Sequence, residues 1–242
     1  MNAINIKGLT KKYKDTVALN DLWLDIKKGE LFSLLGINGA GKSTTVKILS
    51  GILSPTSGDA LVLGESVRDD INKIKTKIAV SPQETAIAPN LSVYENLEFI
   101  ARAHGFSKEK AKKSCIEITN KLGLSAVLKK KAATLSGGYQ RRLSIALALI
   151  SEPEILFLDE PTLGLDVIAR SELWELINSL KGKTTIILTT HYMEEAEALS
   201  DRIGIMSEGR LIALGTAEEL TSKTGKTKFE EAFVSIVKGG RV

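Results

Sequence analysis

The chain is organised around one stretch, Gly36-Ile37-Asn38-Gly39-Ala40-Gly41-Lys42-Ser43-Thr44. This stretch directly follows the apolar run Leu31–Leu35, which has the length of a buried parallel strand and is too short for a buried helix. The residues after Gly41 have a helical pattern as far as Leu49. The glycines therefore lie at a strand-to-helix turn, which is the context in which the pattern G-x-x-x-x-G-K-S binds phosphate.

Each residue type in this loop has a physical role in holding an anion. Gly36, Gly39 and Gly41 lack a Cβ atom, so we expect them to adopt positive φ and to turn backbone N–H groups inward. The helix that follows adds its free N–H groups and the positive end of its dipole. Lys42 is expected to reach the β- and γ-phosphates, and the Ser43 hydroxyl suits Mg²⁺, a hard cation that prefers oxygen ligands. The complete predicted phosphate-binding set is Gly36, Asn38, Gly39, Ala40, Gly41, Lys42, Ser43 and Thr44.

The phosphate loop alone does not identify which nucleotide is bound or which process its hydrolysis drives, because kinases, small GTPases and motor ATPases share this loop. At 242 residues, with 43% hydrophobic and 26% charged side chains, the chain can form one large α/β domain or a core with an inserted subdomain. The formal net charge of +4 fits a phosphate ligand or anionic lipid headgroups nearby. This charge is too small and too dispersed to indicate nucleic acid, and we expect no nucleic-acid partner.

Cysteine usage and hydropathy indicate the reducing cytosol as the setting. Cys115 is the only cysteine, so an intrachain disulfide is impossible. Residues 1–9 lack the apolar core of a signal peptide. The longest apolar run, residues 145–150, is far shorter than the roughly 20 residues that a bilayer span needs. If the protein acts at a membrane, we expect another chain to do the spanning.

Two kinds of strand are predicted. Alternation of apolar and polar residues at 4–9 and 22–26 predicts half-exposed antiparallel strands, with a charged turn at residues 11–15 between them. Continuous apolar runs at residues 155–158 and 184–190 instead predict parallel strands that are buried on both faces. The fold class expected is therefore α/β: a P-loop core with a mostly parallel central sheet and an N-terminal antiparallel β part.

An inserted α-helical subdomain is predicted between the two halves of this core. Residues 91–135 have little strand signal and much helical signal, and they begin with a capping box formed by Ser92 and Glu95. Thr216 and Glu219 form a second capping box near the end of the chain. The parts expected are a first part of the nucleotide-binding core at residues 1–84, the helical subdomain at 85–135, a second part of the core at 136–220 and a C-terminal helical tail at 221–242.

Two adjacent carboxylates, Asp159 and Glu160, follow the buried strand at residues 155–158. Neighbouring residues of a strand point to opposite sides, so we expect the two carboxylates to do different work. Asp159 suits the Mg²⁺ shell, and Glu160 is then free to hold and deprotonate a water molecule. The alternative is a negatively charged strand end of no catalytic use.

A further motif carries a family resemblance. The stretch Leu135-Ser136-Gly137-Gly138-Tyr139-Gln140 lies between the phosphate loop and the two carboxylates, and it resembles the signature of ATP-binding cassette (ABC) ATPases. From Ile4 to about Gly215 the order of motifs is also similar to that family. The series is Tyr13, the phosphate loop, Gln83, the Ser136 signature, Asp159-Glu160, Gly164-Leu165-Asp166 and His191.

The resemblance implies a role for each of these residues. Tyr13 would stack on adenine, and Gln83 would touch Mg²⁺ or the attacking water and report loss of the γ-phosphate to the helical subdomain. His191 would donate a hydrogen bond to the γ-phosphate and orient Glu160 through its other ring nitrogen. The catalytic set implied is Lys42, Gln83, Glu160 and His191, and the Mg²⁺ set implied is Ser43, Gln83 and Asp159.

The resemblance also implies a partner chain. Ser136, Gly137 and Gly138 open a predicted helix and so form a second anion-binding N-terminus. In this family the signature meets ATP bound to a second copy or to a homologous ATPase subunit, so two ATP molecules are held in a closed head-to-tail dimer. Asp166 would touch the partner site and also cap a helix. Tyr139 stands where the family most often has glutamine, and Gln140 follows it.

The function implied is that of an ABC transporter subunit that hydrolyses ATP to drive transport through separate membrane-spanning permease subunits, on the cytoplasmic face of the cell membrane. Residues 163–167 and 191–197 resemble the bacterial ABC-2, multidrug-type exporters. An ABC ATPase with a role other than transport, or a scaffold regulated by ATP, is the alternative.

Overall fold

The computed structural model describes residues 1–239, so residues 240–242 of the predicted C-terminal tail lie outside the described residues. The strands are β1 (Asn2–Tyr13), β2 (Thr16–Lys27), β3 (Leu31–Leu35), β4 (Ser57–Val62), β5 (Glu65–Ser66), β6 (Ile78–Ser81), β7 (Ile155–Asp159), β8 (Thr185–Thr190), β9 (Arg202–Ser207) and β10 (Arg210–Gly215). The helices are α1 (Lys42–Leu49), α2 (Ile71–Lys75), α3 (Val93–Ala103), α4 (Lys108–Lys121), α5 (Gly137–Leu149), α6 (Val167–Asn178), α7 (Met193–Leu199), α8 (Ala217–Thr224) and α9 (Phe229–Gly239). Short 3₁₀ turns cover Ser125–Val127 and Ala132–Thr134.

The central sheet has the strand order β10-β9-β3-β8-β7-β6. Strands β9, β3, β8, β7 and β6 are parallel, and β10 joins β9 as an antiparallel hairpin. Every residue of β3, β7 and β8 is buried, which confirms the prediction from their continuous apolar runs. Because parallel strands end at the same edge of a sheet, the segments that follow β3, β6, β7 and β8 meet there. These segments contain the phosphate loop, Gln83, Glu160 and His191.

The second sheet is antiparallel, with the order β2-β1-β4-β5. It confirms the predicted N-terminal β part, but the turn is shorter than expected. Tyr13 still pairs with Thr16, so the strand pairing continues through most of the predicted turn and only Lys14 and Asp15 remain between the strands. Lys14 has a φ of 46°, as a tight connection between antiparallel strands requires. The charged residues at 11–15 favoured a turn, but charged residues can also extend a pair of strands where both faces are solvated.

Helices α3 and α4 lie within the region for which a helical subdomain is predicted. The expected capping box is present: Glu95 N–H donates to Ser92 Oγ at 3.2 Å, and Ser92 N–H donates to Glu95 Oε2 at 2.7 Å. The buried face of α3 and α4 contributes Leu97 and Cys115 to the same apolar cluster as Leu143 of α5. These helices are thereby packed against the helix that begins at the signature residues.

Helix α9 packs on the β9–β10 side of the central sheet. Phe229 and Phe233 belong to the same buried cluster as Leu35 and Ile203. The second predicted capping box is also present, because Thr216 Oγ1 accepts from Glu219 N–H at 3.1 Å. Among residues 1–239, no helix combines the length and the apolar character needed to cross a membrane.

Candidate active site

The phosphate loop connects β3 to α1, and two of its three glycines have the expected conformation. Gly39 has a φ of 84° and Gly41 a φ of 104°. Gly36 does not have a positive φ, so that part of the prediction is wrong. Glycine is needed at position 36 for a different reason: a Cβ atom there would lie 2.5 Å from the carbonyl oxygen of Met206. Gly36 thus allows the chain that leaves β3 to pass close to Met206 of β9, and a Cβ added at Gly39 would meet open space.

Lys42 is the buried cation of this loop. Its side chain is 4% exposed, and Nζ donates to the carbonyl oxygens of Gly36 at 2.7 Å and Ile37 at 3.3 Å. The same Nζ lies 3.5 Å from Glu160 Oε1. Burial lowers the pKa of the Lys42 ammonium, and the nearby carboxylates of Glu160 and Asp159 partly offset this. The ammonium is held against the loop where an anion would enter.

Asp159 closes β7 beside the first turn of α1. Its Oδ1 accepts a hydrogen bond from Ser43 Oγ at 3.1 Å and a second one from Thr189 Oγ1 of β8. A hydroxyl and a carboxylate oxygen therefore lie together at the N-terminus of α1, beside the loop. This pair matches the oxygen donors that Mg²⁺ prefers.

Glu160 does not continue the alternation of the strand, so the argument that Asp159 and Glu160 point to opposite sides is wrong. Strand β7 ends at Asp159, and Glu160 has a φ of 48°. Its N–H donates to the carbonyl oxygen of Thr189 at 3.0 Å. The left-handed conformation turns the Glu160 carboxylate to the phosphate loop as well, where it faces Lys42 while Asp159 faces Ser43.

His191 follows β8 and contacts Glu160 directly. Its Nδ1 lies 3.1 Å from Glu160 Oε2, so a protonated Nδ1 donates to the ionised carboxylate. The Glu160 carboxylate is thus held at both oxygens, with Lys42 near one and His191 near the other. If His191 also donates to a phosphate through Nε2, both ring nitrogens must carry a proton, because the neutral ring has only one N–H. We call Lys42, Ser43, Asp159, Glu160 and His191 the Lys42–Glu160 cluster.

The remaining predicted residues lie outside this cluster. Within residues 1–239, no hydrogen bond or ion pair joins Tyr13, Gln83, Ser136 or Asp166 to it. Tyr13 is 43% exposed at the end of β1, with Lys11 Nζ 5.1 Å from its ring centre, and the Gln83 side chain is exposed after β6. The nucleotide-binding role predicted for these residues stays a prediction.

The signature residues lie beside the predicted partner-contacting loop. Ser136 precedes α5 as its N-cap, is exposed, and caps no backbone N–H with its side chain. A Cβ added at Gly137 would lie 3.8 Å from Leu165, and one at Gly138 would lie 3.2 Å from Ala169 of α6. Asp166 caps α6, accepting from Ala169 N–H at 2.9 Å, which confirms the predicted cap. Residues 136–138 and Asp166 therefore share one surface.

The buried charged residues Arg141 and Glu195 were not identified from the sequence. Arg141 is 5% exposed on α5 and donates to backbone carbonyls of the Gln83 segment. Glu195 is fully buried on α7, where its Oε1 accepts from Thr162 Oγ1 at 2.7 Å and from Trp174 Nε1 at 3.1 Å. Burial raises the pKa of Glu195, and hydrogen bonds to its carboxylate partly offset this. One pattern in the sequence could have indicated that Glu195 is buried. It lies four residues before the apolar Leu199, so the two share one face of a helix.

The chain is similar to a known protein family and to several characterised relatives. A family described as ABC transporter matches residues 19–163. The linearmycin resistance ATP-binding protein LnrL of Bacillus subtilis is 42% identical over 226 residues, covering 93% of this chain and 72% of LnrL. The daunorubicin resistance ATP-binding protein DrrA3 of Streptomyces coeruleorubidus is 41% identical over 229 residues, covering 94% of this chain and 72% of DrrA3. ABC transporter A family member 11 of Arabidopsis thaliana is 42% identical, and the chain spans only 25% of its length.

Solved structures agree with the fold. An ATP-binding subunit of an ABC transporter superimposes with a TM-score of 0.85 at 30% identity, covering 97% of this chain and 99% of that subunit. A dimeric, post-hydrolysis state of an ATP-binding cassette bound to ADP and Pi superimposes with a TM-score of 0.80 at 29% identity, covering 88% of this chain and 98% of that cassette. With its phosphate loop, its carboxylate pair and its helical insert, the chain belongs to the ABC transporter family, as an ATP-binding cassette.

Proposed function

We propose that this chain hydrolyses ATP at the Lys42–Glu160 cluster and thereby drives export of a substrate through separate permease subunits. The observation that carries the proposal is the position of Glu160. Glu160 is 8% exposed, and its carboxylate faces the phosphate loop and is held between Lys42 and His191. A general base must be fixed within reach of the water that it deprotonates, and this arrangement fixes it.

The loop and α1 would bind the triphosphate. Lys42 and the free N–H groups at the start of α1 supply positive charge, and the open space at Gly39 leaves room for the anion to approach the backbone. Ser43, Asp159 and Gln83 would hold Mg²⁺, which supplies positive charge to the phosphate oxygens when it is bound. Glu160 would take the proton of the attacking water, and Tyr13 would stack on adenine.

The site would be completed by a partner chain, either a second copy or a homologous ATPase subunit. Ser136 and Gly137 are exposed and Gly138 is half-buried at the N-terminus of α5, beside Asp166, and all three lie outside the Lys42–Glu160 cluster of their own chain. An exposed helix N-terminus with no side-chain cap is ready to receive a phosphate. The dimeric form of the related cassette with ADP and Pi supports a dimer, and a closed two-fold dimer would place the signature of each chain at the ATP of the other.

Export is supported by the relatives named for linearmycin and daunorubicin resistance. In this proposal the chain lies on the cytoplasmic face of the membrane and is attached through the permease. The nucleotide-binding core comprises residues 1–84 and 136–220, the helical subdomain at 85–135 passes movement to the permease, and residues 221–242 form a tail. Closure of the dimer on ATP and its opening after hydrolysis supply the movement.

The substitution Glu160→Gln tests the proposal, because it removes the base and leaves the loop that binds ATP. We expect ATP hydrolysis to fall by at least about a hundredfold, a typical size for loss of a general base. With Mg-ATP present, the variant should accumulate as a dimer, measured by size-exclusion chromatography with light scattering.

The matched control is Glu117→Gln, an exposed carboxylate on α4, which should hydrolyse ATP at the wild-type rate. If Glu160→Gln stayed monomeric with ATP and hydrolysed it at the native rate, the proposed role of Glu160 would be wrong.

A further inference from the structure

Helix α5 is hydrogen-bonded to the segment that carries Gln83. Arg141, in the second turn of α5, donates from Nη1 to the carbonyl oxygen of Pro82 at 2.7 Å and from Nη2 to that of Gln83 at 2.6 Å. One turn further along the same face, Ser144 Oγ lies 2.9 Å from Ser81 Oγ, and both hydroxyls are buried. The last residue of β6 and the two residues after it are thus hydrogen-bonded to one face of α5.

The guanidinium cannot easily leave these carbonyls. Arg141 is 5% exposed, and burial lowers its pKa, while the Asp159 and Glu195 carboxylates partly offset that effect. Neither carboxylate hydrogen-bonds to Arg141, so the carbonyls of Pro82 and Gln83 are its hydrogen-bond partners among the described residues. Moving the segment away from α5 would leave a buried cation without acceptors, which is strongly unfavourable. The segment and α5 should therefore move together.

The two ends of this connection face different nucleotides in the proposed dimer. Gln83 would contact the ATP of its own chain, and residues 136–138, at the N-terminus of α5, would contact the ATP of the partner. Arg141 lies three residues beyond Gly138, on the same rigid helix. A displacement of Gln83 would therefore reach the signature residues through Arg141 and helix α5, with no flexible loop between them.

We propose that Arg141 is a positioning residue that couples the two ATP sites, by holding the Gln83 segment and the signature helix as one unit. This role rests on the proposed function, because it needs two composite sites. Its consequence is cooperative hydrolysis: loss of phosphate from one site shifts the signature residues that complete the other.

The test is Arg141→Lys in the full chain. Lysine keeps the positive charge but cannot make two parallel hydrogen bonds to adjacent carbonyls. We expect the affinity of the variant for Mg-ATP, measured by calorimetry, to stay within about twofold of wild type, since the phosphate loop is untouched. The Hill coefficient of ATP hydrolysis should fall from near 2 towards about 1, because two coupled sites become independent. The turnover rate should fall by about tenfold or more, as expected when an interaction that positions the reacting state is lost.

The matched control is Arg142→Lys. Arg142 is the next residue of α5 and pairs with the Glu172 carboxylate, which a lysine can also do. This variant should keep the wild-type Hill coefficient and rate. If Arg141→Lys hydrolysed ATP with the same Hill coefficient and rate as Arg142→Lys, the coupling role would be overturned. A wild-type Hill coefficient of about 1 would overturn it as well.

Failure of the coupling role can be separated from failure of the proposed function. If the wild-type chain does not hydrolyse ATP, the proposed function fails. If wild type and Arg142→Lys hydrolyse ATP cooperatively and Arg141→Lys does the same, only the coupling role fails. Should Arg141→Lys not fold, Ser144→Ala tests the same connection by removing its hydrogen bond to Ser81. Ser144→Ala should lower the Hill coefficient partly, and an unchanged coefficient would count against the coupling role.

Discussion

Glu160 shows how a single backbone conformation assembles the candidate site. A left-handed φ at a residue other than glycine costs about 1–2 kcal/mol, so it persists only where the surroundings stabilise it. Here Thr189 does so: its carbonyl oxygen and its Oγ1 both accept from Glu160 N–H, at 3.0 and 3.1 Å. The same Oγ1 donates to Asp159. One threonine therefore holds both carboxylates in place.

Glu195 gives a prediction for the pH dependence of stability. Its pKa is raised in the folded chain, so folding favours the protonated form between the ordinary pKa of glutamate, about 4.3, and the raised value. The contribution of Glu195 to the free energy of unfolding is complete below about pH 4.3 and is lost as pH rises through the folded pKa. Glu195→Gln does not titrate, so its stability relative to wild type should improve as pH rises from 5 to 8, by up to about 1.4 kcal/mol per pH unit.

Urea unfolding at four pH values between 5 and 8 measures this difference. Glu197→Gln, an exposed carboxylate on the same helix, is the control and should differ from wild type by the same amount at every pH. A pH-independent difference for Glu195→Gln would show that burial does not hold this carboxyl in its neutral form.

At the scale of elements, the backbones of β1 and β4 approach each other closely at Gly58. Gly58 has a φ of 73°, and a Cβ added there would overlap the carbonyl group of Gly8 and lie 2.8 Å from the nitrogen of Leu9. Backbone atoms of a paired strand cannot move aside as a flexible side chain can. Gly64 has a φ of 86°, but a Cβ there would meet nothing within 4 Å.

This contrast predicts different costs for two alanine substitutions. Gly64→Ala should lower the free energy of unfolding by about 1–2 kcal/mol, from the left-handed φ alone. Gly58→Ala should cost at least about 3 kcal/mol, because backbone strain is added to steric overlap between two strands. Denaturant unfolding curves of both variants measure the difference. Equal losses would mean that β1 and β4 can separate at this point without cost.

For the whole molecule, the proposed head-to-tail dimer predicts complementation between two inactive chains. Lys42→Ala damages the phosphate loop, and Ser136→Glu places a negative charge where the partner's phosphates would lie. Each variant alone should retain less than about a tenth of wild-type hydrolysis, since both composite sites are damaged. Mixed in equal amounts, half of the dimers combine the two variants, and each of these has one intact site. Hydrolysis should recover to at most about a quarter of the wild-type rate.

The control for this mixture is a chain that carries both substitutions, mixed with Lys42→Ala. No dimer in that mixture has an intact phosphate loop, so hydrolysis should not recover. If the two single variants also failed to recover on mixing, a head-to-tail dimer in which one intact composite site turns over would be contradicted.

Much of the fold was predictable because it is encoded in short stretches. Strand β3 and the start of α1 have the predicted bounds, and the caps at Ser92, Asp166 and Thr216 are present. Apolar runs and capping boxes are local patterns, so neighbouring residues are enough to specify them. Elements β5 and α2 were not predicted, because two and five residues are too few to show a periodicity.

The sequence by itself determined the phosphate loop, the buried parallel strands, the caps and the order of the motifs, since each depends on residues close together in the chain. Only the tertiary structure decided why Gly36 must be glycine, why Asp159 and Glu160 face the same loop, and what Arg141 binds. Gly36 is constrained by Met206 of a neighbouring strand, and Arg141 donates to Pro82 and Gln83 almost sixty residues earlier. Such contacts depend on how strands and helices pack, and spacing along the chain carries no record of them.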